Sequence, residues 1–221
     1  MKLIFGTGNP AKLKTMKEML RGMPLELEGL KEAAAAADTF LPEVDESGRE
    51  PLENARIKAI AYYRALGQPV FSCDSGLYID GLPQEEQPGV HVRRVNGRVL
   101  TDEEMIRHYA DLAKAHGGEV RARYRNAICL VWDEAHIIEY DGDDLAGSAF
   151  LLVDTPHPAR DAGFPLDSIS VEIASGNYYM DMQDERNSVF EEEISAAFRQ
   201  FFASSLSGLQ NIPRKLEQAG K

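Results

Sequence analysis

The sequence predicts an α/β fold, a long twisted mixed sheet flanked by helices, in two lobes with a central cleft. Three observations lead there. Short apolar runs alternate with helical periodicity at the start of the chain, as in strand–helix–strand units. In the middle, strand-like runs follow one another with no helix between them, so antiparallel pairs should join the sheet. With 221 residues the chain can bury a substantial core as one domain with a sub-lobe, and no repeat of solenoid length is present. Residues 1–206 are therefore expected as a single two-lobed domain, and 207–221 as a polar C-terminal tail prone to fray.

The elements follow in order. "KLIF" reads as a short buried strand and "GTGNP" as a turn. "AKLKTMKEMLRGM" then spaces Leu13, Met16, Met19 and Leu20 as a helix does, with Pro10 where a first-turn proline is tolerated. "EAAAAAD" has the composition of a helical turn, and "PEVDESGREP" is an acidic loop. "LENARIKAIAYYRAL" is a helix ended by Gly67. "PVFSC" follows as a strand, which places Asp74 at its C-terminal end. "DGLPQEEQPGVHVRRVNG" is rich in turn residues and reads as an exposed loop. Thr101 and Glu104 form a capping box opening the next helix. "EVRARYRNAICLVWDE" suits a long strand, "HIIEYDGDD" and "GSAFLLVD" read as further strands, and "EEEISAAFRQFFASSL" is a late amphipathic helix.

Composition narrows the partners. The net charge of −12 argues against a nucleic-acid backbone or an anionic membrane, since both need a basic face. A local basic pocket on such a protein still admits a nucleotide. No window approaches a membrane span, and the opening run Leu3 to Phe5 is too short for a signal-peptide core. Cys73 and Cys129 lack metal-ligand spacing and are too few for a disulfide scaffold, so reduced thiols in a cytoplasmic protein are expected.

Three segments carry candidate chemistry. In "GTGNPAK", Thr7, Gly8 and Asn9 lie at a strand-to-helix turn whose backbone N–H groups and dipole suit an anion, with Lys12 in reach. The spacing is neither the Walker nor the dinucleotide pattern, and an ordinary tight turn is the alternative. In "EVDESGREPLENARIKA", Glu43, Asp45 and Glu46 crowd one loop, which is either a solvated acidic loop or a site for a hard cation such as Mg²⁺. Asn54 and Lys58, four apart, share a helix face. In "SCDSGL", a carboxylate following an apolar strand is costly unless compensated, although Asp-Ser-Gly also reads as a turn. Together these supply an anion cradle, a cation site and a placed carboxylate, which is what metal-assisted attack on a phosphoanhydride needs.

The chain resembles the inosine/xanthosine triphosphate pyrophosphatases. The matching stretches are "TGNPAK", "VDESG" with "LENARIKA", "DSGLYIDGL" and "PGVHVRRVNG", in the family's order and separations, and more loosely "RARYRNAICLV". The resemblance implies a homodimer that uses Mg²⁺ to hydrolyse nucleoside triphosphates carrying deaminated purines to monophosphate and pyrophosphate, cleansing the nucleotide pool. It implies that Thr7, Gly8, Asn9 and Lys12 hold the triphosphate and that Lys58 contacts phosphate. It also implies that Glu46 and Asp74 hold the metal, that Asp74 activates the attacking water, and that Ser75, Gly76 and Arg94 lie beside the substrate.

Two departures qualify this. The family usually has two acids before Ser-Gly-Leu, and here the first is Cys73, which predicts weaker Mg²⁺ affinity or a shift of that duty to Glu46 and Asp45. The family's Gly-Phe-Gly-Tyr-Asp falls on "GFPLD", keeping Phe164 and Asp167 but placing Leu166 at the tyrosine. Its lysine falls on Arg186, and its Ser-His-Arg triplet near Phe190, Glu191 and Glu192, where donors become acceptors. A base read by Arg186, Asn177, Tyr178 or backbone groups, or a different nucleotide, is the expectation. A nucleotide-binding protein with weak catalysis and a redox switch at Cys73 are the alternatives, the latter disfavoured by Asp74 beside the thiol.

Overall fold

The structure is a computed structural model that describes residues 1–161, 164–182 and 186–209, with side chains from 194 onward in the last of these. Its spine is a pair of long antiparallel strands, β3 (Val70–Ile79) and β6 (Glu119–Asp133), in unbroken register from Val70 opposite Val131 to Ile79 opposite Ala122. On the β3 side, β1 (Lys2–Phe5) runs parallel to β3, and β2 (Glu26–Gly29) parallel to β1. On the β6 side the sheet forks. Residues near the end of β6 pair with β7 (His136–Tyr140), and those at its start pair with β8 (Phe150–Val153), which pairs with β9 (Ser170–Glu172). The seven strands make one mixed sheet.

Two apolar cores lie along one face of this spine, as period-2 alternation requires. Phe71 on β3 and Ile128 and Leu130 on β6 join Met16 of helix α1 (Pro10–Met19) and Phe198 and Phe202 of α5 (Arg186–Leu209). Further along the same face, Leu77 and Ile79 join Met105 and Tyr109 of α4 (Asp102–Ala115), together with Leu166 and Ile169. On the opposite face, α3 (Pro51–Leu66) lays Ala55 and Ala59 against Cys129 and Val131. The alanine-rich α2 (Leu30–Ala36) buries Leu30, Ala33 and Ala34 beside Val70. The capping box at Thr101 and the left-handed stop at Gly67 are formed as read.

Several elements differ from the sequence reading. The short strands β2 and β9 each pair at a sheet edge or near it and carry too few apolar residues to announce themselves. The turn-rich stretch of residues 80–97 ends in a small hairpin, β4 (Arg94–Val95) with β5 (Arg98–Val99) just beyond it. Helix α5 continues to Leu209, which is buried. The largest difference is at "FSCDSGLYI". Strand β3 does not end at Cys73, because β6 pairs with it residue by residue through Asp74, Ser75 and Gly76. What ends there is the neighbour, for β1 pairs only as far as Phe5 opposite Phe71.

Candidate active site

The end of β1 opens a gap in the sheet. Beyond Phe71, the next contact along that edge of β3 is the bridge between Leu77 and Gly89, where each N–H donates to the other's carbonyl at 2.9 Å. Alternation aims the backbone polar groups of Cys73 and Ser75 into the same edge as those of Phe71 and Leu77. The candidate site is built around this interval.

On the α3 face, Asp74 meets Lys58. The Lys58 Nζ donates to Asp74 Oδ1 at 2.9 Å and to Glu46 Oε2 at 2.9 Å. The Lys58 and Asp74 side chains are only 11% and 13% exposed, whereas Glu46 is 48% exposed. Burial opposes the lysine's charge, but the two carboxylates outweigh it and hold the ammonium above its usual pKa. An ammonium has three donors, so one remains for a ligand once these two are counted.

The Glu46 loop is fastened to α3 by residues that sequence spacing had grouped but not explained. Asn54, buried, accepts the Gly48 N–H at 2.8 Å, and Glu53 accepts the Arg49 N–H at 2.7 Å. The expectation that Asn54 and Lys58 share a face holds, and that face is turned into the protein. Asp45 is exposed.

At the end of β1, the turn expected to offer backbone N–H groups works differently. Asn9 Oδ1 accepts from the Ala11 and Lys12 N–H groups at 2.9 and 3.4 Å, so the helix donors are satisfied by its own cap. Thr7 Oγ1 accepts from the Asn9 N–H at 3.2 Å. What this leaves for an anion is the Gly8 N–H together with side-chain chemistry: the Thr7 O–H, the Asn9 amide N–H₂ and the Lys12 ammonium. Gly8 is exposed, and a Cβ there would meet nothing within 4 Å.

Cys73 does not join Asp74. Adjacent strand residues face opposite ways, and Cys73 packs against the apolar cluster of Phe71 and Ile128. Burial drives its thiol up to about 12, although Lys12 and Lys58 pull the other way. Ser75 lies on the Cys73 face. Its hydroxyl donates to Asn126 Oδ1 at 2.6 Å, and the Asn126 amide donates to the Leu145 carbonyl at 2.7 Å. Gly76 returns to the Asp74 face. A Cβ there would come within 3.0 Å of the Gly89 carbonyl carbon and of Tyr78 Cε2, so the close approach of the 88–97 loop depends on it. Sequence reasoning passed over Tyr78 and Arg125. The Tyr78 hydroxyl donates to Glu50 at 2.6 Å, and the Arg125 guanidinium stacks 4.6 Å from its ring centroid. The alternating arginines of "RARYR" were the available signal.

The remaining expected residues lie around the second core. Arg94 is exposed in the small hairpin. Phe164 is 55% exposed, while its neighbour Leu166 is buried in the core, which suits an apolar residue in place of tyrosine. Asp167 is half-buried. Asn177 is exposed, and Tyr178 donates to the Thr155 carbonyl at 2.8 Å. Arg186 opens α5, but its side chain, like those of Phe190, Glu191 and Glu192, lies outside the described residues. Among the described residues no three His, Cys, Asp or Glu side chains gather in a metal-holding group, and no helix is long and apolar enough to cross a membrane.

Comparison with known proteins fits this arrangement. Residues 3–200 match the Ham1 family. The chain belongs to that family. A dITP/XTP pyrophosphatase of Thermus thermophilus is 30% identical over 182 residues, covering 82% of this chain and 81% of that one. Another from Bradyrhizobium diazoefficiens is 32% identical over 144 residues, covering 63% of this chain and 64% of its own length, slightly less than two thirds. A Ham1 protein structure from Coxiella burnetii superposes with a TM-score of 0.74 at 22% identity, over 92% of this chain and 99% of that one, which concerns the fold alone. The Ham1 match takes in the second core, most of the first core up to residue 200 of α5, and all three segments that the sequence singled out.

Proposed function

We propose that this Ham1 protein is a nucleoside-triphosphate pyrophosphatase that hydrolyses triphosphates of deaminated purines to the monophosphate and pyrophosphate. Its relatives' names pair a deoxyribonucleotide, dITP, with a ribonucleotide, XTP. The observation that carries the reading is Lys58, nearly buried and bridging Asp74 and Glu46, at the gap where β1 ends beside Thr7, Asn9 and Lys12. A cation-bridged carboxylate pair next to three anion donors is the charge pattern a metal–phosphate complex requires.

The donor set suits Mg²⁺. Glu46 and Asp74 reach one nitrogen from two sides, and two carboxylates with waters and phosphate oxygens are its usual company. When bound, the ion neutralises phosphate charge and stabilises the departing pyrophosphate. Thr7, Asn9 and Lys12 hold the phosphate chain by direct donors. Lys58 gives its third N–H to a phosphate oxygen and fixes the Asp74 carboxylate. Asp74 takes the proton from the attacking water. Gly76 holds the 88–97 loop, and with it Arg94, close to the cleft. Phe164 offers an exposed ring for the base, and the Asp167 N–H donates to the Phe164 carbonyl at 3.1 Å.

The test is pyrophosphate release from ITP, dITP, XTP, dUTP and the four common triphosphates, with Mg²⁺ and with chelator. Preferential release from ITP, dITP and XTP, lost with chelator and in Asp74→Asn, is expected. Release from none would refute the reading. A homodimer in the cytoplasm, not associated with nucleic acid or membrane, is part of the proposal, and light scattering checks the dimer.

A further inference from the structure

We propose that Tyr62, lying between Lys58 and the turn that follows β1, is a further substrate contact whose hydroxyl donates to the pyrophosphate end of the triphosphate. The inference rests on the pyrophosphatase reading and deepens it.

Helix α3 runs antiparallel over the Asp74 face of β3, and every fourth residue marks its course. Lys58 meets Asp74, and Leu66 joins the apolar cluster of Val70. Tyr62 lies between them, beside Ser72 and the turn after β1. Gly6 opens that turn. Its N–H donates to the Phe71 carbonyl at 2.7 Å, and its carbonyl accepts the buried Ser72 hydroxyl at 3.0 Å. A Cβ on Gly6 would strike Ser72 Oγ and lie 3.1 Å from Tyr62 Cδ2. The Tyr62 ring therefore rests on the residue that precedes Thr7.

The ring and its hydroxyl have different surroundings. The ring is half-buried and packs against the cluster of Ile4, Leu66 and Val70. The hydroxyl has no hydrogen-bond partner among the described residues. It nevertheless lies in the field of the site. Burial, then the Glu46 carboxylate, raise its pKa above the usual 10.0, and the Lys58 ammonium opposes them. The group is thus a neutral phenol at the pH of the reaction, with one proton to donate. Long side chains on a helix lean toward its N-terminus, which carries this hydroxyl toward the turn that bears Lys58. A half-buried donor without an acceptor calls for an incoming one.

Order along β3 selects the part of the ligand that supplies it. On one side of Asp74, the 88–97 loop meets Gly76 and Leu77, and Leu77 shares a core with Leu166, in the segment proposed to hold the base. On the other side are Ser72, Gly6 and Tyr62. A triphosphate with its nucleoside toward Leu77 and its α–β bridge at Asp74 sends its β- and γ-phosphates to Tyr62. Water adds to the α-phosphorus as Asp74 takes its proton, the α–β bridge breaks, and the bridging electron pair leaves with pyrophosphate. Tyr62 donates to the charge that pyrophosphate gains and keeps its own proton.

The experiment titrates pyrophosphate and inosine monophosphate separately, each with Mg²⁺, into wild type and Tyr62→Phe by calorimetry. The substitution removes one oxygen and keeps the ring. A hydrogen bond to a charged acceptor predicts a loss of at least about tenfold for pyrophosphate in Tyr62→Phe, with inosine monophosphate held within about twofold. The kcat/KM for dITP should fall by a similar factor. No pyrophosphate binding by wild type, or equal pyrophosphate affinity in the two proteins, overturns the proposal. Equal losses for both ligands would make Tyr62 a structural residue and overturn it as well. So would a Tyr62→Phe whose only change is a higher Mg²⁺ concentration for half-maximal turnover, because the hydroxyl would then serve Glu46. If wild type binds pyrophosphate through Tyr62 yet releases none from any triphosphate, the hydrolysis reading fails and the contact stands.

Discussion

Removing the Lys58 ammonium with Lys58→Met should destabilise the fold by about 2–4 kcal/mol, nearly all of it through Asp74. The two ion pairs of Lys58 have equal lengths, 2.9 Å, but unequal surroundings. Asp74 is 13% exposed, so losing its cation leaves a nearly buried carboxylate uncompensated. Glu46 is 48% exposed and recovers its hydration, so Glu46→Gln should cost no more than about 1 kcal/mol. Asp74→Asn should fall near Lys58→Met, at about 1.5–3 kcal/mol, and the double variant should cost less than the sum, since each change removes the same interaction. Urea unfolding at pH 7.5, with midpoints and slopes compared, measures all four. The sign of the pH dependence follows from Lys58, whose folded-state pKa is held above the usual 10.5. A raised lysine contributes stability that is fully present below its unfolded value and is lost as pH rises through the folded value. Wild type should therefore hold this contribution through neutral and mildly alkaline pH and lose it above about 10.5, while Lys58→Met lacks that loss. The reasoning is refuted if Glu46→Gln costs as much as Asp74→Asn, or if wild type and Lys58→Met fall in parallel above that pH.

Further outcomes follow from the same interval of β3. Gly76→Ala, which sets a Cβ 3.0 Å from the Gly89 carbonyl carbon, should cost about 1–3 kcal/mol and speed amide exchange at Gly89 and Leu77. Protection equal to wild type would contradict it. Asn9→Ala removes the cap of α1 and should cost about 1 kcal/mol by urea unfolding, whereas Asn9→Ser should recover most of it. Loss in both would show that capping is not what Asn9 does for stability. With a thiol raised to about 12, Cys73 should alkylate at pH 7.5 roughly a thousandfold more slowly than a model peptide, in proportion to thiolate, and the rate should climb steadily with pH. An inflection below pH 9, localised to Cys73 by peptide mapping, would reverse that conclusion.

Much of this arrangement was readable from residue spacing. The i, i+4 relation of Asn54 and Lys58, the Thr101 capping box and the Gly67 stop are local, and local rules determined them. The position of Asp74 was not local. Asp-Ser-Gly has the composition of a turn, and only the long-range ladder to β6 keeps it extended. Likewise, nothing near Asn9 in the sequence decides whether helix N–H groups face a ligand or a cap, because the choice lies in one side-chain torsion. Asn126 could not be assigned from its own surroundings in sequence. Its role depends on Ser75, 51 residues away, and on the carbonyl of Leu145, 19 residues away. Base recognition was the least legible part, because the residues proposed for it are spread from Phe164 to Arg186 and no local rule joins them.

The exchange of an acid for Cys73 has a different meaning in three dimensions. Taken as a sequence, two adjacent acids suggest one shared metal site, and the loss of one suggests weaker binding. In the strand they point to opposite faces, so an aspartate at position 73 would look toward Phe71, Ile128 and the Lys12 side of the gap, away from Glu46. Cys73→Asp should therefore leave the Mg²⁺ concentration for half-maximal turnover within about twofold of wild type. It should cost about 1–3 kcal/mol of stability for placing a polar group against an apolar cluster. It should also change the KM for the triphosphate, because the new charge opposes the phosphates near Lys12. Titrating turnover with Mg²⁺ at saturating nucleotide, beside urea unfolding, separates these effects. A tenfold drop in the Mg²⁺ requirement would mean that positions 73 and 74 serve one ion after all, and that the edge of β3 opens far enough for both faces to reach it.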